Sequence, residues 1–74
     1  LDFVIKNRVK IARIEHGNLS QEELADLIGV SRQTISLIES GKYNPTLKLC
    51  LALSKVLNKK LDDLFWMEED AGDE

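Results

Sequence analysis

Apolar residues recur at the spacing of a helix face in several stretches of the chain, each bounded by residues that start or stop helices. Leu24, Ala25, Leu27 and Ile28 form the clearest set. Ahead of them stands a capping box, Ser20-Gln21-Glu22-Glu23. Its Ser oxygen serves the first free amides, and its last Glu closes the turn. Gly29 ends this short helix. Ser31 caps a second helix over residues 32–40, whose Ile35 and Ile38 face inward, and Gly41 ends it. After the turn Lys42-Tyr43-Asn44-Pro45, Thr46 caps a longer helix reaching Leu57. Nearer the start, Asn7 caps a helix over residues 8–16 with Val9, Ile11, Ala12 and Ile14 as its apolar surface, and Gly17 follows it. Phe3-Val4-Ile5 and Phe65-Trp66-Met67 read as short β-favouring runs, and Leu61–Phe65 as a fifth helical turn.

The helix after Thr46 carries more apolar surface than one small core uses. Leu47, Cys50, Leu51, Ser54 and Leu57 form one broad face, and Leu49, Leu53 and Val56 form a stripe beside it. Only Lys48, Ala52 and Lys55 remain on the polar side. Either Phe65 and Trp66 of the same chain or a second subunit is expected to cover the surplus, and self-association through Leu49, Leu53, Val56, Phe65, Trp66 and Met67 is the favoured reading.

A chain of 74 residues suits one small domain. With one cysteine, Cys50, and one histidine, His16, neither an internal disulfide nor a Cys/His zinc cluster is expected. Cys50 reads as a small core residue in a reducing, cytoplasmic setting, and His16 as helix-end surface. No stretch is long and apolar enough to span a membrane. Leu1–Lys6 lacks a signal-peptide layout, and a start without Met points to processing, truncation or non-standard initiation. Net charge is −3, which alone disfavours DNA, but the distribution reverses that reading. Residues 62–74 hold seven acids and no base, whereas residues 1–61 hold all ten Lys and Arg against six acids. The body over residues 1–61 is therefore basic, and a folded domain over residues 1–67 with an acidic, disordered tail over residues 68–74 is expected.

Two short helices around Gly29-Val30-Ser31 form the arrangement of a helix-turn-helix. Ala25 permits a close crossing, Gly29 a sharp turn, and Val30 and Ile35 fill the wedge. Ser20-Gln21-Glu22-Glu23-Leu24-Ala25, then Gly29-Val30-Ser31-Arg32-Gln33-Thr34-Ile35-Ser36, then Ile38-Glu39-Ser40-Gly41-Lys42-Tyr43-Asn44-Pro45-Thr46-Leu47 resemble the Cro/C1-type (XRE) helix-turn-helix proteins. The likeness covers residues 6–65 and is strongest to small stand-alone dimeric regulators of the cytolysin-repressor type. It implies an all-α, five-helix lambda-repressor-like domain with its motif over residues 21–40. It also implies an antiparallel pair of chain ends from residues 3–6 and 64–68.

The resemblance places Arg32, Gln33 and Ser36 on a base-reading face, with Leu37 at its edge. The chemistry suits that role: Arg pairs bidentately with guanine and Gln with adenine, while a Leu touches a thymine methyl. Gln21 becomes a phosphate contact at a helix N-terminus, and Thr34, Ser40, Lys42, Tyr43 and Asn44 flank the groove as further phosphate contacts. Apart from that motif, Arg32 and Gln33 are ordinary solvated first-turn residues. The family commonly pairs an acid at Glu39 with an arginine of the first helix, here Arg13, as a structural ion pair. The expected partners are double-stranded DNA and a second copy of the chain, giving a homodimer that represses from a palindrome. An adaptor or antitoxin held by a protein partner is one alternative, and a helical bundle without DNA activity is another. No nucleophile–base pair, phosphate loop or metal spacing points to an enzyme.

Overall fold

The computed structural model describes residues 3–69. In chain order the elements are β1 (Phe3–Asn7), α1 (Val9–Glu15), α2 (Gln21–Ile28), α3 (Arg32–Glu39), α4 (Leu47–Leu57), α5 (Leu61–Leu64) and β2 (Phe65–Glu69). The fold is all-α, five helices with one two-stranded antiparallel sheet, consistent with a lambda-repressor-like domain.

Local chemistry starts the motif helices where the sequence says it should. Ser20 Oγ accepts from the Glu23 amide at 2.9 Å, and Glu23 Oε1 accepts from the Ser20 amide at 2.8 Å. Ser31 Oγ accepts from the Thr34 amide at 3.1 Å, and Thr46 Oγ1 from the Leu49 amide at 3.2 Å. Such caps each contribute about 1 kcal/mol. Gly29, at φ +89°, turns the chain between α2 and α3 in a conformation that costs a residue with a Cβ.

The core is Val9, Ala12, Leu24, Ala25, Ile35, Ile38, Leu53, Leu57 and Leu64. Ala25 is buried where α2 packs against α3. Leu19, Ile28, Val30, Leu49, Val56 and Phe65 seal its margins. Apolar burial of this kind stabilises by about 25 cal/mol per Å² removed from water.

Three expectations are corrected. The first concerns α1. It begins at Val9, and the residue at its N-cap position is Arg8 rather than Asn7. Asn7 is the last residue of β1, and its Oδ1 still accepts from the Val9 amide at 3.1 Å. Ile11 and Ile14 are exposed, because the inward face of α1 is Val9, Ala12 and Arg13.

The second concerns α4, whose buried face cuts across the two stripes. Leu53, expected at a subunit interface, is fully buried in the chain's own core with Leu57. Leu49 and Val56 pack against that core as well. The surplus apolar surface is instead Leu47 and Leu51, 65% and 51% exposed. Neighbouring stripes on one helix satisfy the same periodicity, and packing against α1, α2 and α5 selects between them.

The third concerns the chain ends. The strands pair with Phe3 opposite Glu69, Ile5 opposite Met67 and Asn7 opposite Phe65. The implied antiparallel pair is present, with Glu68 inside it, and the strand runs one residue further, through Glu69, which the sequence placed in the tail. Residues 70–74 of that tail lie outside the described residues.

Arg8, just before α1, fastens the end of α5 and the start of β2. The Arg8 amide donates to the Leu64 carbonyl at 2.9 Å, and the Arg8 guanidinium lies 5.6 Å from the centre of the Trp66 ring.

Candidate nucleic-acid interface

The first turn of α3 presents Arg32 and Gln33 to solvent while Ile35 and Ile38 are fully buried. Ser36 is half-buried and Leu37 exposed, so all four expected base-reading side chains lie off the core face of this helix. An α-helix docked by such a face fits the major groove, where base edges differ from pair to pair.

Arg32 is not loose. Its Nη1 donates to Gln21 Oε1 at 3.1 Å, linking the first turns of α2 and α3. The guanidinium keeps further donors for an acceptor pair such as O6 and N7 of guanine. Gln33 makes no side-chain hydrogen bond within the chain among the described residues.

Gln21 is half-buried, and its Nε2 donates to Glu39 Oε1 at 3.0 Å. One amide hydrogen then remains for a phosphate. Thr34 Oγ1 and Ser31 Oγ lie 2.9 Å apart as a hydroxyl pair at the N-terminus of α3. Ser40 is exposed, and its hydroxyl donates to the Leu37 carbonyl at 3.1 Å. The same carbonyl accepts from the Lys42 amide at 2.9 Å and the Tyr43 amide at 3.2 Å. These bonds shape the loop after α3, on which Lys42, Tyr43 and Asn44 are exposed.

Beneath this surface lie Arg13 and Glu39. Arg13 Nε donates to Glu39 Oε2 at 2.7 Å and Arg13 Nη2 to Glu39 Oε1 at 3.2 Å. A further Arg13 nitrogen, Nη1, donates to the Leu19 carbonyl at 2.6 Å. The two side chains are only 10% and 5% exposed.

A family model described as helix-turn-helix matches residues 9–64, which contain every element of this surface. The chain belongs to the Cro/C1-type (XRE) helix-turn-helix regulators. It is a sequence-specific DNA-binding transcriptional regulator. Over 66 residues it is 50% identical to an uncharacterised HTH-type transcriptional regulator of Methanocaldococcus jannaschii, spanning 89% of this chain and 98% of that one. An uncharacterised HTH-type transcriptional regulator of Bacillus subtilis is 46% identical over the same shares. The HTH-type transcriptional activator BcrR of Enterococcus faecalis is 39% identical over 81% of this chain but only 30% of its own length. A crystal structure of a candidate DNA-binding protein from Bacteroides fragilis superposes with a TM-score of 0.76 at 28% identity, covering 85% of this chain and all of that one.

Away from α3, the regulator has an apolar groove of about 560 Å³ whose lining includes Ile5, Pro45, Leu47, Cys50, Phe65 and Met67. Met67 is 58% exposed, whereas Phe65 and Trp66 are half-buried. Sequence reasoning missed Leu47 and Leu51 as the open face of α4. It also missed the second bond of Asn7, whose Nδ2 donates to the Ile38 carbonyl at 3.0 Å. No helix among the described residues is long and apolar enough to cross a membrane.

Proposed function

We propose that the regulator is a repressor that binds a palindromic operator as a homodimer and reads bases through the N-terminal half of α3. The observation that carries this reading is the pair Arg32 and Gln33, solvent-facing on the first turn of a helix whose other face is core. Arg32 reads guanine and Gln33 adenine, Ser36 supports either, and Leu37 meets a thymine methyl. Gln21, Thr34, Lys42, Tyr43 and Asn44 hold the backbone on either side; these contacts fix register and carry no sequence information themselves. Ser40, exposed at the end of α3, joins that set once its hydroxyl leaves the Leu37 carbonyl.

The dimer is proposed to form over the face that includes Leu47, Leu51 and Met67, since exposed apolar patches on a small domain are costly in water. Half-sites then lie about one helical turn apart, about 34 Å. Repression needs only occupancy of a promoter. The activator among the relatives is much longer than the segment it shares with this chain.

Selection from a randomised duplex pool tests the reading. Enrichment of a two-fold symmetric consensus supports it, and loss of binding when two to five base pairs are inserted between the half-sites, on the order of half a turn at the upper end, supports the dimer. A folded protein that enriches no sequence would redirect attention to a protein partner for the apolar groove.

A further inference from the structure

A chain of hydrogen bonds runs from the interior to the DNA-facing surface across three helices. Arg13 on α1 holds Glu39 at the end of α3, Glu39 accepts from Gln21 at the start of α2, and Gln21 accepts from Arg32 at the start of α3. We propose that Glu39 is a positioning residue for base readout: its carboxylate fixes which way the Gln21 amide points and thereby holds Arg32 for guanine. This rests on the base-reading role proposed for Arg32.

The direction of the amide follows from chemistry. An ionised carboxylate only accepts hydrogen bonds, so the Gln21 group facing it must be the NH2. Gln21 Oε1 must then point outward, where it meets the Arg32 guanidinium, which only donates. A reversed amide would set oxygen against carboxylate and NH2 against guanidinium, losing both bonds. Glu39 is itself held by two Arg13 nitrogens at 2.7 and 3.2 Å, so it has little freedom to follow a flipped amide. The outcome is an arginine anchored at Nη1 with Nη2 and Nε available to a base. A long side chain restrained before binding loses less freedom on binding. A guanidinium held at one nitrogen also has fewer poses in which to accept a wrong base.

A purely structural role for the ion pair makes a different forecast, and one variant separates the two. Arg13→Met/Glu39→Met replaces the buried pair with apolar side chains of similar length, a change that proteins often tolerate or even gain stability from. It removes the carboxylate that orients Gln21 and leaves Arg32 and Gln33 in place. Affinities are measured for the pool-selected duplex and for duplexes altered one base pair at a time, alongside Arg32→Ala and thermal melting. The expected result is a folded double variant whose preference at the base pair read by Arg32 falls about three- to tenfold. Preferences at the other base pairs stay as in the wild type. Unchanged preference at that pair, or an equal loss across all sequences, overturns the proposal.

Gln21→Met provides the second arm should the double variant melt below the assay temperature. It keeps the side-chain length and removes both bonds, and the same selective loss is expected on top of any general weakening. A general weakening without the selective loss overturns the proposal here as well. If Arg32→Ala leaves every base preference intact, the base-reading role itself fails, which is a different result from either.

Discussion

The Asn7 side chain donates from Nδ2 to the Ile38 carbonyl at 3.0 Å, tying β1 to the last turn of α3. Its Oδ1 accepts from the Val9 amide at 3.1 Å, so one residue fastens a strand to two helices. Asn7→Ala removes both bonds and leaves the Val9 amide without its partner, while the Ile38 carbonyl keeps the Gly41 amide at 3.0 Å. A loss of about 1–3 kcal/mol in urea unfolding is expected. Asn7→Asp keeps the acceptor but sets a negative charge beside the Ile38 carbonyl, and is expected to recover little of that loss.

Glu39→Ala leaves the Arg13 guanidinium buried with only the Leu19 carbonyl as partner. Removing one member of a buried pair costs about 3–5 kcal/mol, whereas the paired change to methionine is expected to lie near the wild type. Urea midpoints of the single and double variants test the contrast. A single variant as stable as the wild type would mean that the pair is hydrated rather than buried.

Leu47→Glu/Leu51→Glu places charges on the open face of α4 and is expected to yield a monomer in sedimentation velocity. Stability of the fold itself should change by no more than about 0.5 kcal/mol per site, as at other exposed positions. Leu53→Ala provides the counterpart: it opens a cavity under the same helix and is expected to cost about 2–5 kcal/mol. An undiminished dimer in the Glu variant would place the interface elsewhere.

Burial pushes the Cys50 thiol above its ordinary range, against a smaller lowering by its backbone hydrogen bond. The native state therefore keeps the proton to higher pH than the unfolded chain does. Alkylation by iodoacetamide is expected to be slow at neutral pH, to rise above the usual thiol range, and to quicken on unfolding at constant pH. A native thiol as reactive at neutral pH as the denatured one would contradict this.

Much of the motif was legible because its signals are local. Ser20, Ser31 and Thr46 each start a helix through an oxygen meeting an amide within the next turn, and short-range chemistry of that kind is written in adjacent residues. The orientation of α4 was not legible, because the stripes through Leu47 and Leu53 satisfy the same period and only tertiary packing chooses between them. The Glu39–Gln21–Arg32 connection joins residues of α2 to both ends of α3, so no spacing announces it. The bond from the Ser40 hydroxyl to the Leu37 carbonyl was hidden for a related reason, since a helix-end serine offers no spacing that selects a backbone carbonyl over solvent.

The most direct test of the central claim is a titration at fixed salt of wild type and Arg32→Ala/Gln33→Ala against the selected duplex and an unrelated one. Loss of a bidentate base contact costs about 1–3 kcal/mol, so two losses should lower specific affinity by about a hundredfold or more. Affinity for the unrelated duplex should fall far less, because most phosphate contacts remain. Equal weakening on both duplexes, or none on the selected one, would contradict base reading by this helix.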